Sequence, residues 1–456
     1  SSGWWMVGSK ILPIKVESGI PDMDAFPVYV YFDKVTLYMR LSNKSTLTFP
    51  SKALTDQENA KRKQNIPVVR ITTDGGAGIY DKENYVKGSI TISDPEKLYS
   101  DVETFTGRMG IRGRGNSTWS FPKKPWKVKL DEKAELLGMP ADKEWALLAN
   151  YADRTLVRNI TAMKLSEICG FSWTPRMRSV EVYLNNKYQG VYTLCEHKKV
   201  SSDRVNIDIV GENDNEGDAV TGGYYLEIEE QQDETTCWIT SMNVPMMFSD
   251  PEEPTVQQLE YIKNLFESFE TALKSKDWSE ETGYPKYIDV DSFVDYYIVQ
   301  ELAKNTDGNL RKSSFITKKK GGKLVMHHLW DFDLTFGNSG GLLHDPEGFF
   351  IRDYTPGWYI GDNWFNRMMK DPAFVDRLQA RWNELYPQFV AMVDFIDDQA
   401  LVLDKAQQQN FKVWSIWESV DWVDCPSLGS YEKEVDFLKE FYSKRLEWMN
   451  TAINKL

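Results

Sequence analysis

Three aspartates carry the clearest chemical potential in the chain. Asp307 lies in the stretch NTDGN, and Asp331 and Asp333 lie in the stretch WDFD. Carboxylates that share one small site repel each other unless a cation lies between them. Mg²⁺ bound by one or two carboxylates together with substrate phosphates is a natural occupant of such a site. In the alternative interpretation, Asp307 only forms an Asp-Gly turn and Asp331 caps a following turn.

A β-hairpin is predicted between these aspartates. Its strands would be residues 314–318 and 323–329, which flank a Gly-Gly pair. If those two glycines are the turn residues, Asp331 and the loop that holds Asp307 lie at the same open end. The hairpin would therefore bring together carboxylates that are distant in the sequence.

A basic segment provides candidates for binding phosphate. The sequence RMGIRGRGN would place Arg108, Arg112 and Arg114 on one face of a strand, and Lys124 and Lys127 follow closely. Guanidinium groups bind phosphate oxygens through paired hydrogen bonds. The alternative is that these cations form ion pairs with the carboxylates of an acidic chain.

A glycosidase is a further alternative, since glycosidases use two carboxyl groups about 5–10 Å apart. Sixteen Trp and twenty-two Tyr could supply surfaces for stacking on sugars. However, no spacing in the sequence singles out an acid and a nucleophile. A P-loop nucleotide site is excluded because its glycine-lysine motif does not occur.

The composition narrows the classes of partner. The 456 residues carry a net charge of −14, which argues against binding of nucleic acid and of anionic membranes. No apolar run is long enough to span a bilayer. The four cysteines, Cys169, Cys195, Cys237 and Cys425, form no Cys-x-x-Cys pair, so we expect no zinc site and favour free thiols over two disulfides.

The pattern of strands and helices predicts an α+β fold with two lobes. Residues 1–65 form a strand-bearing N-terminal segment that ends in a polar linker at 51–65. Residues 66–230 are rich in predicted strands, and residues 231–456 are mainly helical. We could assign no role to residues 1–65.

Local signals predict several elements within these regions. Asn185-Asn186 is typical of a tight hairpin turn because Asn tolerates positive φ. A helix over 154–168 would have Asp153 as its N-cap. Three further helices have apolar residues at helical spacing, over 256–274, 291–304 and 431–453.

Six segments in order resemble the CotH kinase family, which includes the spore-coat-protein kinases. They include IRGRGNSTWSFPKKPWKVKL, NYADRTLVRN, VEVYLNNKYQGVYTLCEH, GGYYLEIE and WDFDLTFGN. The resemblance covers about residues 66–450 and is closest to the CotH-like proteins of gut Bacteroidetes, which are usually exported.

The resemblance implies a bilobal, atypical protein-kinase-like fold with a strand-rich N-terminal lobe and a helical C-terminal lobe. It also implies ATP and Mg²⁺, or Mn²⁺, as cofactors and phosphorylation of Ser or Thr on an exported protein whose identity is open. We expect an exported, periplasmic or cell-surface protein, including a lipoprotein, whose signal has been removed before Ser1.

The resemblance also assigns roles to residues of this sequence. Asp307 and Asp331 would be the two aspartates tied to activity, with Asp331 binding the metal as the Asp of an Asp-Phe-Gly motif does. Asp333 would be a further metal ligand. The expected nucleotide-binding residues are Arg112, Arg114, Lys124 and Lys127, with Glu196 and Glu227 in supporting roles.

One departure from the family pattern points to a different class of function. Spore-coat members carry an Asn, a metal-ligand candidate, soon after the first Asp. Here that stretch contains Lys312, Ser313 and Ser314, whereas Asn309 comes early. The alternative is therefore a non-catalytic kinase-fold surface protein, a pseudokinase that binds a protein or a glycan.

Overall fold

The fold was analysed in a computed structural model of the protein. It describes residues 2–7, 10–15, 27–32, 36–41, 46–50, 52–231, 236–356, 359–417 and 425–456. The β-strands are β1 Ser2–Val7, β2 Lys10–Lys15, β3 Pro27–Phe32, β4 Thr36–Leu41, β5 Thr46–Pro50, β6 Val68–Thr73, β7 Val86–Ser93, β8 Thr104–Gly113, β9 Trp126–Leu136, β10 Met139–Leu148, β11 Met177–Leu184, β12 Lys187–Glu196, β13 Tyr224–Ile228, β14 Cys237–Ile239, β15 Pro245–Asp250, β16 Ser314–Lys318 and β17 Leu324–His328. The α-helices are α1 Lys52–Lys63, α2 Arg158–Cys169, α3 Val256–Ser275, α4 Val290–Ala303, α5 Trp364–Met368, α6 Pro372–Val390, α7 Met392–Val413 and α8 Tyr431–Ile453.

Seven strands close into a barrel in the order β10-β12-β11-β6-β7-β8-β9. Only the β6–β11 pair is parallel. The barrel interior is filled by alternate apolar side chains such as Val69, Ile111, Val128 and Trp145. The sequence predicted a strand-rich region here but not its closure.

The β11–β12 hairpin confirms the prediction made from Asn185-Asn186. Leu184 pairs with Lys187, and the two turn residues have φ of 49° and 64°. Asn enters this left-handed region at little cost, so the local sequence determines the turn.

A second sheet has the order β14-β15-β13-β16-β17 and packs with the helices around a separate core. The β16–β17 hairpin was predicted with a Gly-Gly turn, which is wrong in detail. Lys318 pairs with Leu324, so the connecting loop has five residues. An irregularity further along restores the expected register, and Phe315 pairs with His328. The open end of the hairpin is therefore where it was predicted.

The helices confirm most of the predicted elements, with two corrections. α2 begins at Arg158, four residues late, so Asp153 is not its N-cap residue; its carboxylate nevertheless accepts a hydrogen bond from the backbone N–H of Arg158. The polar segment 51–65 contains α1 rather than an irregular linker. Lys61 of α1 forms an ion pair with Asp398 of α7 at 2.6 Å.

The structure also bears on the cysteines and on the question of a membrane-spanning helix. Cys169 and Cys195 are free thiols, and both are buried, as is Cys425. Among the described residues, no helix combines the length and the apolar character that a bilayer span requires.

A buried ion pair joins the end of α4 to α8. Glu301 and Arg445 are fully buried, and the guanidinium Nη2 lies 2.7 Å from Glu301 Oε1. The Glu301 carboxylate also accepts hydrogen bonds from the backbone N–H groups of Phe350 and Arg352. The pair therefore anchors the helix that precedes Asp307.

We expect Arg445→Ala to lower the free energy of unfolding by about 3–5 kcal/mol, because it leaves a buried carboxylate without its cation. The matched control is Lys444→Ala, which removes an exposed i,i+4 pair with Glu440 and should cost less than about 0.5 kcal/mol. Urea denaturation of both variants measures the difference. Equal losses would contradict the anchoring role of the buried pair.

Candidate functional site

A cavity of about 310 Å³ lies where the barrel meets the second sheet. Its walls come from the loop between β8 and β9, the end of β10, the end of β13, the loop after α4 and the loop after β17. Elements that are far apart in the sequence thus converge on one concave surface, the usual form of a small-molecule site.

The structure brings Asp307, Asp331 and Asp333 together in the wall of this cavity. The Asp307 carboxylate is 13% exposed and lies 3.5 Å from Arg311 Nη1. Asp331 has a φ of 67°, a left-handed conformation that costs energy for a residue other than Gly. Such strain occurs where the surrounding structure holds a side chain in position for function.

Ionisation of Asp333 and of Asp307 is disfavoured in the cavity. Burial raises the pKa of Asp333 well above its ordinary value, and the charges of Asp331, Asp153 and Asp307 add to the effect. Burial also raises the pKa of Asp307 to about 6, where Lys312 opposes the shift and Asp331 increases it. A cation between these groups would remove this penalty.

Glu229 belongs to the same cavity. Burial raises the pKa of its carboxyl group to about 7, although a hydrogen bond from the backbone N–H of Gln231 opposes the shift. The site thus contains several carboxylates that gain from neutralisation at neutral pH.

These residues fit a metal that is shared with a bound ligand. Throughout the described part of the chain, no three His, Cys, Asp or Glu side chains are arranged to hold a metal ion alone. Mg²⁺ commonly takes one or two carboxylates and completes its shell with phosphate and water oxygens. Asp331 and Asp307 could supply such a partial set.

The start of α2 braces the loop that contains Asp331 and Asp333. The Arg158 guanidinium bonds to Asp153 at 2.6 Å, and its Nε donates to the Thr335 carbonyl at 2.9 Å. The Asn338 side chain donates to the Asp333 carbonyl from the other side at 2.7 Å. Buried charged hydrogen bonds of this kind hold a loop in one conformation.

Basic side chains also line the cavity. Arg114 has its guanidinium carbon 5.7 Å from the ring centroid of Trp330. Burial lowers the pKa of Arg114, while the charges of Asp331 and Asp333 oppose this. Lys198 forms an ion pair with Glu227 at 2.6 Å inside the cavity. The cavity therefore combines positive and negative groups, as a site for a phosphate and a cation requires.

Four residues predicted to bind nucleotide do not line the cavity. Arg112 lies on the outer face of β8, where it bonds to the Lys82 carbonyl. Lys124 donates to the Trp119 carbonyl at 2.7 Å. Lys127 pairs with Glu144 at 2.7 Å.

The fourth is Glu196, which is fully buried and bound by Arg176. Arg114 differs from Arg112 because β8 ends at Gly113, so the strand alternation does not extend to it. Of the residues predicted to bind nucleotide, Arg114 and Glu227 thus line the cavity, whereas the other four contact other groups of the protein.

Sequence reasoning did not assign several polar residues of the cavity to the site, and three of them lie close to matched segments. Lys123 is buried, and its ammonium donates to the Val191 carbonyl and to Asn410 Oδ1 at 2.9 Å. Lys198 and Asn159 are the others. The only available signal was that all three lie within or next to the quoted segments FPKKPW, NYADRTLVRN and CEH.

Apolar side chains also line the cavity. They include Phe121, Leu148, Ala149, Tyr151 and Met177. The rings of Phe121 and Tyr151 have centroids 5.2 Å apart. A ligand with a flat apolar part and an anionic part would match this mixed lining.

Comparison with known families supports the sequence resemblance. The family model for CotH kinase protein matches residues 111–449, most of the chain. A comparison with curated proteins gives no match.

The raised pKa of Asp307 gives a prediction for stability. Its pKa is about 6 in the folded protein against an ordinary value of 3.8. Between these values the folded protein keeps a proton that the unfolded chain loses, so stability falls as the pH rises from about 4 to about 6. In metal-free buffer, Asp307→Asn should raise the free energy of unfolding by on the order of 1 kcal/mol at pH 8 and little at pH 4.

Denaturation at the two pH values provides the measurement. Asp101→Asn, at an exposed position outside the cavity, is the control and should show no such pH-dependent gain. Destabilisation by Asp307→Asn at pH 8 would mean that its charge is favourably paired rather than repelled.

Proposed function

The chain belongs to the CotH kinase family, and from this premise we propose that it is an ATP- and Mg²⁺-dependent protein kinase. It would transfer the terminal phosphate of ATP to Ser or Thr of an exported or surface protein. The observation that supports this most is the convergence of three aspartates with Arg114 and the Lys198–Glu227 pair in one cavity. In this proposal the barrel and the second sheet with its helices correspond to the two lobes of an atypical kinase.

The aspartates have distinct roles in this proposal. Asp331 would hold the cation, since its strained backbone places an exposed carboxylate at the cavity. Asp307 would orient the acceptor hydroxyl or make a second metal contact, and its raised pKa suits a group that accepts a proton. Asp333 has the carboxyl group whose ionisation is most strongly disfavoured, and a nearby cation would favour its ionised form. Mg²⁺ or Mn²⁺, when bound, would neutralise charge on the phosphates.

Basic groups on the barrel side would meet the phosphates. Arg114 lies close enough to Asp331 and Asp333 for their charges to affect its pKa, so a phosphate bridging the cation would be near its guanidinium. The Lys198–Glu227 pair resembles in chemistry the Lys–Glu pair that positions ATP in protein kinases. The apolar lining residues Phe121, Leu148 and Tyr151 would contact the nucleoside.

A non-catalytic kinase-fold protein that binds a protein or glycan is the second candidate, and one observation favours it. Arg311 donates to both oxygens of Glu230 at 2.7 and 2.6 Å and contacts Asp307 at 3.5 Å. Lys312 also pairs with Glu230 at 3.2 Å. Arg311 and Lys312 therefore place positive charge in the loop where related kinases carry an Asn that is a candidate metal ligand. Positive charge at this position would disfavour a bound metal ion.

Nucleotide binding gives the first test of the proposal. ATP with Mg²⁺ at about 100 times its dissociation constant should add roughly 2.7 kcal/mol to the stability of the wild type. Asp331→Ala should lose the part of this shift that depends on Mg²⁺, because it removes the main ligand of the cation. Thermal unfolding with and without EDTA measures both, and Asp101→Ala serves as the control. A metal-independent shift in the wild type would contradict the role of Asp331.

Phosphoryl transfer gives the second test. With labelled ATP, Mg²⁺ or Mn²⁺ and a Ser-rich acceptor, Asp331→Ala should abolish transfer and Asp307→Ala should reduce it strongly, because charge neutralisation and positioning supply most of the catalysis. Transfer that survived Asp331→Ala would show that the site is wrongly assigned. No transfer by the wild type, together with no stabilisation by nucleotide, would favour the non-catalytic protein.

A further inference from the structure

We infer that the side-chain amide of Asn159 is a fixed hydrogen-bond donor to a phosphate oxygen of the bound nucleotide. This inference rests on the proposed function and adds to it a specific contact to the phosphate. Asn159 is the second residue of α2 and lines the same cavity as Asp331 and Asp333.

The orientation of the amide follows from its hydrogen bonds. Asn159 is 6% exposed, and its Oδ1 accepts a hydrogen bond from the backbone N–H of Phe332 at 2.7 Å. A backbone N–H needs an oxygen acceptor, so the amide cannot be flipped without losing this bond. The Nδ2 group must then occupy the other position. Within the part of the chain that the structure describes, Nδ2 makes no hydrogen bond to the protein, and the side chain lines the open cavity.

An N–H₂ donor that has no protein partner and faces a cavity is available to a ligand acceptor, which takes the place of water there. The amide belongs to the brace of the loop that follows β17, since Phe332 lies between Asp331 and Asp333. Any ligand group that approaches Nδ2 therefore also approaches the carboxylates assigned to the cation.

The chemistry of this position selects a phosphate oxygen. A ligand atom there must accept an N–H hydrogen bond and at the same time lie next to a cation held by carboxylates. Phosphoryl oxygens do both, because they coordinate Mg²⁺ and accept hydrogen bonds from neutral donors. Asn159 is not assigned as a metal ligand, because its oxygen is engaged by Phe332 and an amide nitrogen does not bind Mg²⁺.

The start of α2 adds to this preference. The N-terminus of a helix carries a partial positive charge that favours anions. Its first N–H, that of Arg158, is already satisfied by the Asp153 carboxylate at 2.9 Å. The side chain of Asn159, which lines the cavity at this helix end, can therefore meet an anion there.

The test uses Asn159→Asp, which keeps the oxygen for the Phe332 N–H, removes the N–H₂ donor and adds a negative charge. We expect the affinity for ATP with Mg²⁺ to fall by roughly 10- to 100-fold, the range for a hydrogen bond to a charged group. The affinity for adenosine should be unchanged, because adenosine has no phosphate. Isothermal titration calorimetry on the whole chain measures both.

Two further variants separate the donor from other effects. Asn116→Asp adds the same charge at an exposed position in the cavity lining and should weaken ATP binding less than threefold. Asn159→Ala removes the donor without adding charge and should weaken ATP binding as Asn159→Asp does. It also provides the test if the Asp variant does not fold.

Each outcome decides between the claims. Wild-type binding of ATP together with unchanged binding by Asn159→Asp would overturn the role of Asn159 and leave the proposed function in place. Equal losses in Asn159→Asp and Asn116→Asp would attribute the effect to charge alone and overturn it as well. A lower affinity of Asn159→Ala for Mn²⁺ without nucleotide would make Asn159 a metal ligand instead. Absence of ATP binding by the wild type would refute the proposed function and this inference with it.

Discussion

The repulsion among Asp307, Asp331 and Asp333 is the constraint on which the rest of the structure depends. The carboxyl groups of Asp307 and Asp333 are largely removed from water, and the charge of Asp331 makes the ionisation of both less favourable. Such a group of charges lowers stability in isolation, so it persists only if the surrounding elements are rigid. The arrangement is understandable as a site in which a cation and an anionic ligand complete the charge balance.

The rigid elements around this site can be identified. Arg158 links the start of α2 to the Thr335 carbonyl, and the buried Glu301–Arg445 pair anchors the end of α4 before Asp307. The positive φ of Asp331 is energetically unfavourable by itself, and these contacts hold the loop in this conformation. These two contacts involve α2, α4 and α8, which pack in the core around the second sheet. A loss of packing in that core, even far from the cavity, would therefore also displace the carboxylates.

Local signals in the sequence predicted the parts of the fold that depend on neighbouring residues. The Asn185-Asn186 turn and the bounds of α8 are examples, since turn geometry and helical periodicity are set within a few positions. Closure of the barrel was not predictable in this way, because it depends on pairing of β6 with β11 across about a hundred residues.

The site was predicted in part for the same reason. Asp307 and Asp331 were placed together because a single hairpin connects them, and a register error near the turn was cancelled by an irregularity further along. Arg112 was expected on the same strand face as Arg114 because strand alternation was extended through both residues. β8 ends at Gly113, so the alternation does not relate their positions. Asn159 escaped notice because its role depends on a hydrogen bond to Phe332, which only the folded chain reveals.

A crystal structure with a non-hydrolysable ATP analogue and Mn²⁺ tests the account most directly. The account predicts an anomalous peak for Mn²⁺ between Asp331 and the analogue's phosphates; a peak away from both Asp331 and Asp307, or an analogue bound outside the cavity, would contradict it.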